Sequence, residues 1–419
     1  MDKTCLFGGT YWPIRIGLGG SRAVCRVFAG RSRAALVNPD QANGPPWSGR
    51  SLPGGLAWDR NAGDLGGCRV SCRHVVRGGA TPRGRVARRP GPYVRVAVLT
   101  SGGDAPGMNG AIRAATRTAF VRDWEVLGVP DGYRGLLEGR FRRLTDRTMG
   151  GILHRGGTIL GTAREPQLLT EEGQRQGLAA LKRAGVEGLV VIGGGGSLKG
   201  ALALAKLGVP TVGVPATIDN DVPFTDMSIG VDTALNTALE AIDRIKDTAS
   251  SHRRAHVVEV MGRNCGYLAL ACALAAGAEA VLLPEHEPHP EDLLGALASS
   301  YERGKPHFIV VAAEGSGLPA RKFHEYVNAA EDTFESRLTI LGHVQRGGSP
   351  TAYDRLLGSR LGAAALRALA EGEPGIMVGV SGRRLERFPL EDVAAGKKHL
   401  DEDTYDLALT LAGMHRRRG

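Results

Sequence analysis

The chain reads as an α/β protein of two doubly wound, mainly parallel-sheet lobes, preceded by a disordered N-terminal extension. Three observations predict this. From Arg95 onward, short apolar runs such as RVAVL (95–99), GLVVI (188–192) and FIVVAA (308–313) alternate with helical stretches, the pattern of parallel strands buried on both faces. Glycine-rich turns follow several of these runs, as at 193–196, where such sheets place their ligands. Before residue 93 no sustained period of a strand or helix is visible, and Gly, Pro and Arg recur throughout.

The elements follow in order. Arg95–Leu99 is predicted as the first strand, Asn109–Val121 as a helix and Glu125–Val129 as the next strand. Gly177–Ala184 reads as helix, Gly188–Ile192 as buried strand, Leu198–Leu207 as helix and Pro210–Val214 as strand. The alternation continues through helices at Val231–Ser250, Tyr267–Ala276, Pro290–Arg303 and Ala352–Ala370. The matching strands are His256–Val260, Ala280–Pro284, Phe308–Ala313, Leu338–His343 and Gly375–Val380.

Composition narrows the function. The net charge of +10 invites a nucleic-acid reading, but its distribution opposes one. Residues 1–92 hold 14 Arg and one Lys against four Asp and no Glu, a net of +11, so the rest of the chain carries a balance of −1. No apolar run approaches the ~20 residues that span a bilayer. Cys265 and Cys272 lie in an apolar helical stretch and read as reduced core residues of a cytoplasmic protein. Cys68 and Cys72 with His74 do not have a usual zinc spacing. The leader lacks the apolar region of a secretory signal and the amphipathic helix of a transit peptide.

Five motifs carry chemistry. The first strand runs into TSGGDAPGMN (100–109), where adjacent glycines let backbone amides approach a phosphate beside a helix N-terminus. Taken alone, this turn fits a purely structural role equally well. The second loop, GGGGSLKG (193–200), suits a nucleotide backbone passing close by; a flexible linker is the alternative. The third, PATIDND (215–221), sets Asp219 and Asp221 two apart after Thr217. Carboxylates there can accept a hydroxyl proton or hold Mg²⁺, although an Asx turn also explains Asn220 and Asp221. The fourth, VEVMGR (258–263), follows SSHRR (250–254), and the fifth, LGHVQRGG (341–348), follows Arg337. Arg and His at strand ends suit a phosphomonoester.

In this order and spacing, TSGGDAPGMN, TIDND, SSHRR, VEVMGR and LGHVQRGG resemble the bacterial ATP-dependent 6-phosphofructokinase family, from about Arg95 to near the C-terminus. The resemblance implies a phosphofructokinase-like fold, with 93–230 plus 345–395 as the nucleotide-binding lobe and 231–344 plus 396–419 as the sugar-phosphate lobe. It implies ATP and Mg²⁺, fructose 6-phosphate as acceptor of the phosphoryl group, and a homotetramer in the cytoplasm. Asp219 is then the general base on the sugar 1-hydroxyl, and Thr217 and Asp221 place the hydroxyl and the transferred phosphoryl. Gly103 sits against the terminal phosphate, Arg164 bridges the nucleotide phosphates, and Gly194, Gly195, Gly196 and Ser197 cradle them. Arg263 neutralises transition-state charge, while Met261, Gly262 and Glu314 contact the sugar. His343 and Arg346 hold the 6-phosphate, helped by Arg254 and Arg337 from a neighbouring subunit. A basic effector site for a phosphorylated metabolite corresponds to Arg113, Arg117, Arg147, Arg303 and Lys305, with Lys246 where an Arg is common.

The sequence departs from the family pattern in the second loop, where Gly195 occupies the place of a usual metal-binding carboxylate. Glu165 and Leu169 stand where an aromatic and a basic residue are common. A catalytically weak regulatory paralogue is one alternative that Gly195 allows, against the intact Asp219, Thr217 and Arg263. A pyrophosphate-dependent enzyme is another, opposed by small residues at Gly196 and Ala216 that leave room for a nucleotide.

Overall fold

The computed structural model describes residues 94–419, except 253, 287–288, 331–334 and 414–419. Within the first 93 residues only backbone strands are described. There β1 (Asp2–Phe7), β2 (Thr10–Gly19) and β3 (Arg22–Arg26) form an antiparallel meander, and β4 (Asp64–Leu65) pairs with β5 (Cys68–Arg69). The remainder of the predicted extension lies outside the described residues, as does the Cys72–His74 spacing. Met1–Val86 and Ala87–Gly419 are separate compact units.

The second unit is built on two sheets. The first takes β6 (Arg95–Ser101), β7 (Glu125–Val129), β8 (Arg142–Arg143), β9 (Gly188–Gly193), β10 (Thr211–Pro215), β15 (Ile376–Ser381) and β16 (Arg384–Pro389). Their order is β16-β15-β10-β9-β6-β7-β8; the five inner strands are parallel and the two edges antiparallel. The second is a wholly parallel sheet of β11 (Ala255–Val260), β12 (Ala280–Leu282), β13 (Phe308–Ala313) and β14 (Ser336–Ile340), ordered β12-β13-β11-β14. Every residue of β9 and of β13 is buried, which explains their unbroken apolar sequences.

Helices α1 (Met108–Phe120), α3 (Glu171–Arg183), α4 (Gly195–Lys206), α5 (Val231–His252), α6 (Tyr267–Ala276), α7 (Pro290–Glu302) and α9 (Ala352–Glu371) link the strands as predicted, with shifted ends. Helices α2 (Gly132–Leu137), α8 (Ala320–Ala329), α10 (Leu390–Ala395) and α11 (Glu402–Ala412) and strands β8 and β16 are additions to the sequence-based elements. The last strand of the second sheet ends at Ile340 rather than His343, because Gly342 adopts φ 53° and opens a 3₁₀ turn over Gly342–Arg346.

Both sheets share one core. Val98, Ile192 and Val214 of the first and Val258, Val260 and Val311 of the second belong to the same buried cluster, together with Ala238 and Ile242 of α5 and Leu361 and Ala365 of α9. Among the described residues, no helix is long and apolar enough to cross a membrane.

A buried carboxylate joins the starts of α5 and α9. Asp354 accepts from the Gly230 and Thr233 amides, both at 2.8 Å, while Thr351 Oγ1 donates to Asp232 Oδ2 at 2.6 Å. Burial pushes the Asp354 carboxyl up, and the bonds it accepts from the Thr233 hydroxyl and the Gly230 and Thr233 amides oppose that rise. The network fixes the helix that follows the 343–351 segment, and so the position from which Arg346 projects.

Candidate active site

The C-terminal ends of the inner strands of the first sheet open onto a cavity of about 270 Å³. Its walls combine the three predicted loops: Gly102 and Gly103 after β6, Gly194–Ser197 after β9, and Ala216, Thr217, Asp219 and Asp221 after β10. Arg263, from the turn after β11, and Arg346, from the 3₁₀ turn, complete the same wall. Arg164, Glu165, Pro166, Leu168 and Leu169 line it as well. Two sheets and residues far apart in sequence thus converge on one site.

Asp219 is the electrostatic centre. It is 2% exposed, with Oδ2 3.3 Å from Arg263 Nε and Oδ1 3.7 Å from Arg346 Nη2. Burial raises its carboxyl above the ordinary value and outweighs the opposing pull of the Arg346 guanidinium; Asp221 adds to the rise. Oδ1 has no hydrogen-bond partner, so one buried acceptor is left for a donor from outside the chain.

The loop that carries this group is held by Asn220, whose φ is 51°. Its side-chain carbonyl accepts from the Ser228 amide and its amide donates to the Asp226 carbonyl, both at 3.0 Å. These bonds reach six and eight residues on, so Asn220 does not make the Asx turn that the sequence also allowed; it ties the Asp219 loop to the 226–228 segment. Arg263 also has a left-handed backbone, with φ 50°, and its amide donates to Glu314 Oε1 at 2.8 Å. Non-glycine residues persist in this region only where their surroundings hold them.

Other predicted residues lie elsewhere. Glu314 pins the Arg263 backbone but does not line the cavity, and Met261 is buried with its amide 3.4 Å from Gln345 Oε1. His343 is exposed, and Gly262 lies in the turn between β11 and Arg263. Arg254 and Arg337 both turn onto Glu335 and do not line the cavity. The predicted effector residues fall in two groups. Arg113 and Arg117 project from α1, with Arg117 3.7 Å from Asp146 beside Arg147, whereas Arg303 bonds Ser300 at the end of α7 and Lys305 lies 3.3 Å from Glu279. Among the described residues, no hydrogen bond or ion pair joins these two groups within the chain.

Sequence reasoning missed Tyr133 and Gln345. The Tyr133 hydroxyl donates to the Ser197 carbonyl at 2.6 Å, tying α2 to the glycine loop. A Cβ at Gly200 would stand 2.7 Å from the Tyr133 ring, so this ring and that glycine fit each other. Nothing in a lone Tyr or Gln of the sequence pointed to these places.

The cavity offers little to a resident metal. Among the described residues no group of three His, Cys, Asp or Glu could hold an ion, and a Cβ at Gly195 would meet nothing within 4 Å. The residues present therefore do not build a side-chain Mg²⁺ site at the second loop. Cys265 and Cys272 are both free; Cys272 is buried in α6 as expected of a core residue, whereas Cys265 is half-buried and precedes that helix.

Residues 95–369 match the family model described as Phosphofructokinase. The chain is 51% identical over 321 residues to the ATP-dependent 6-phosphofructokinase of Halalkalibacterium halodurans, covering 76% of this chain and 99% of the relative. It is 48% identical over 318 residues to the ATP-dependent 6-phosphofructokinase of Bacillus subtilis, with the same coverage. Among solved structures, the phosphofructokinase of Pichia pastoris in the T-state superposes with a TM-score of 0.69 at 34% identity, covering 77% of this chain and 37% of that longer one. With a family model spanning most of its length and relatives matched almost end to end, this chain belongs to the phosphofructokinase family.

Proposed function

We propose that the chain transfers the terminal phosphoryl group of ATP to the 1-hydroxyl of fructose 6-phosphate, giving fructose 1,6-bisphosphate and ADP. The observation that carries this reading is Asp219: a buried carboxylate with an unpartnered oxygen, set between two guanidiniums on the wall of a glycine-lined cavity. Asp219 takes the proton of the 1-hydroxyl as that oxygen attacks the terminal phosphorus and the bond to the bridging oxygen of ADP breaks. Thr217 and Asp221 flank the hydroxyl, and Arg263 faces the charge that gathers on the transferred group. Phosphoryl transfer needs mainly such positioning and neutralisation. The amides of Gly102, Gly103 and Gly194–Ser197 suit the nucleotide phosphates, with Arg164 beside them.

The first sheet and its loops then form the nucleotide lobe, and the second sheet with Arg263 and Glu314 the sugar lobe. Any Mg²⁺ arrives on the nucleotide phosphates, since Mg²⁺ commonly keeps several waters. Arg254 and Arg337 lie away from this chain's own cavity, which fits service to a neighbour's 6-phosphate in a homotetramer. The two basic groups of the effector set then meet across such an interface. A cytoplasmic location accords with these substrates.

A coupled assay of the purified chain with fructose 6-phosphate and Mg²⁺, run with ATP and then pyrophosphate, tests the reading. Turnover with ATP and not pyrophosphate is expected. Turnover only with pyrophosphate, or none with either donor, contradicts it. A fully active monomer in light scattering contradicts the tetramer.

A further inference from the structure

The nucleotide end of the cavity holds a group that the phosphate chemistry does not explain. Glu165 lines the cavity, with its side chain 17% exposed. A carboxylate facing a triphosphate is repulsive, so its presence calls for a donor on the ligand. Its own contacts are light. Oε1 accepts from the Gln167 amide at 3.4 Å, and Oε2 lies 3.6 Å from Arg134 Nε, an arginine that is 54% exposed and outside the cavity. A carboxylate offers about four acceptor positions, so roughly two remain for a ligand.

The neighbours order the site. Arg164, directly before Glu165, faces the cavity where the phosphates are read to lie, and Leu168 and Leu169, one turn after it, supply an apolar wall. Along the chain the surface thus runs from cation to anion to hydrocarbon. A nucleotide laid along it runs from phosphate to sugar to base. The group that meets the anion is the ribose, whose two vicinal hydroxyls are paired donors for one carboxylate, the same match that acidic residues make to ribose in dinucleotide sites.

We infer that Glu165 is a specificity-determining residue that accepts hydrogen bonds from the ribose 2′- and 3′-hydroxyls of the nucleotide. The inference rests on the reading of this cavity as the nucleotide site. It makes the chain a ribonucleotide-selective enzyme, with selectivity placed in the residue before the Pro166–Leu169 turn.

The test compares initial rates with ATP, 2′-deoxy-ATP and 3′-deoxy-ATP at saturating fructose 6-phosphate, for the unaltered chain, Glu165→Gln and Glu165→Ala. For the unaltered chain, kcat/KM is expected to fall about 10-fold or more with each deoxy donor, the usual loss of a hydrogen bond to a charged group. In Glu165→Ala the three donors should agree within about twofold, with KM for fructose 6-phosphate unchanged. Glu165→Gln keeps an acceptor for the Gln167 amide and so preserves the turn; its preference for ATP should be reduced. An unaltered chain that uses deoxy donors as well as ATP, or an alanine variant that keeps the preference, overturns the inference while leaving the kinase reading intact. Calorimetry with ADP and 2′-deoxy-ADP reads the same preference without turnover. Tighter ADP binding upholds the ribose contact even if phosphoryl transfer fails; equal affinities, or no binding of either, overturn it.

Discussion

The Arg346 guanidinium lies against the backbone of Gly103, so close that a Cβ at that glycine would stand 2.7 Å from Nη1. The same nitrogen donates to the Asp104 carbonyl at 3.3 Å, and the other terminal nitrogen faces Asp219. Gly103 therefore keeps clear the space that lets one arginine bond the Gly102–Asp104 loop while facing Asp219.

Gly103→Ala is expected to push Arg346 out of this position without unfolding the chain. Misplacement of about 1 Å in such a site lowers rates on the order of 100-fold. The drop should appear in kcat/KM for fructose 6-phosphate, while the melting temperature stays within a few degrees. Unaltered steady-state rates would show that Arg346 is not positioned through this contact.

Asn220→Ala removes two hydrogen bonds and leaves a side chain at φ 51° that alanine tolerates poorly. A loss of about 2–4 kcal/mol is expected from the unpartnered Ser228 amide and the backbone strain. Urea unfolding measures it, and kcat should fall as well because Asp219 precedes the altered residue. Asn220→Gly, which relieves the strain, should recover part of the stability.

Gly195→Asp introduces a carboxylate where no atom stands within 4 Å of the new Cβ. It also places negative charge in the first turn of α4, worth about 0.3–1 kcal/mol to the helix. The expected outcome is a slightly higher melting temperature and a lower Mg²⁺ concentration for half-maximal rate. An unchanged Mg²⁺ requirement would mean that the ion is governed wholly by the nucleotide phosphates.

The acid limb of the pH–rate profile should follow Asp219. Burial lifts its carboxyl, so the base is ready only above a pH higher than the ordinary carboxylate value of about 3.9. Arg346 pulls the other way, so Arg346→Met should move the limb to still higher pH. The same sign governs stability: a carboxyl raised in the folded state disfavours folding above its folded pKa, and the penalty disappears as pH falls below the unfolded value. Asp219→Asn is therefore expected to melt higher than the unaltered chain at pH 7, with the gap closing in acid.

Much of this site is legible in the residues. The unbroken apolar runs at Gly188–Gly193 and Phe308–Ala313 announce buried parallel strands, and the loops after β9 and β10 hold glycines and carboxylates that line the cavity. Linear spacing does not disclose which residues meet across the fold. Gln345 beside Met261, and Tyr133 bonded to Ser197, act through contacts made only when elements distant in sequence pack. Helix α8 escaped notice although its buried Phe323 and Val327 are one turn apart, because only Ala320 joins them on that face of a polar segment. Arg254 and Arg337 were legible as a pair, but their shared partner Glu335 became visible only when β14 was laid beside β11.

The central claim, that Asp219 is the general base, is tested most directly by kcat for Asp219→Asn with ATP and fructose 6-phosphate. Asparagine keeps the shape and removes the proton acceptor. A positioned base contributes about 10²–10⁴-fold, so kcat should fall by that range while KM for fructose 6-phosphate changes far less. A variant that turns over at the unaltered rate would contradict the account.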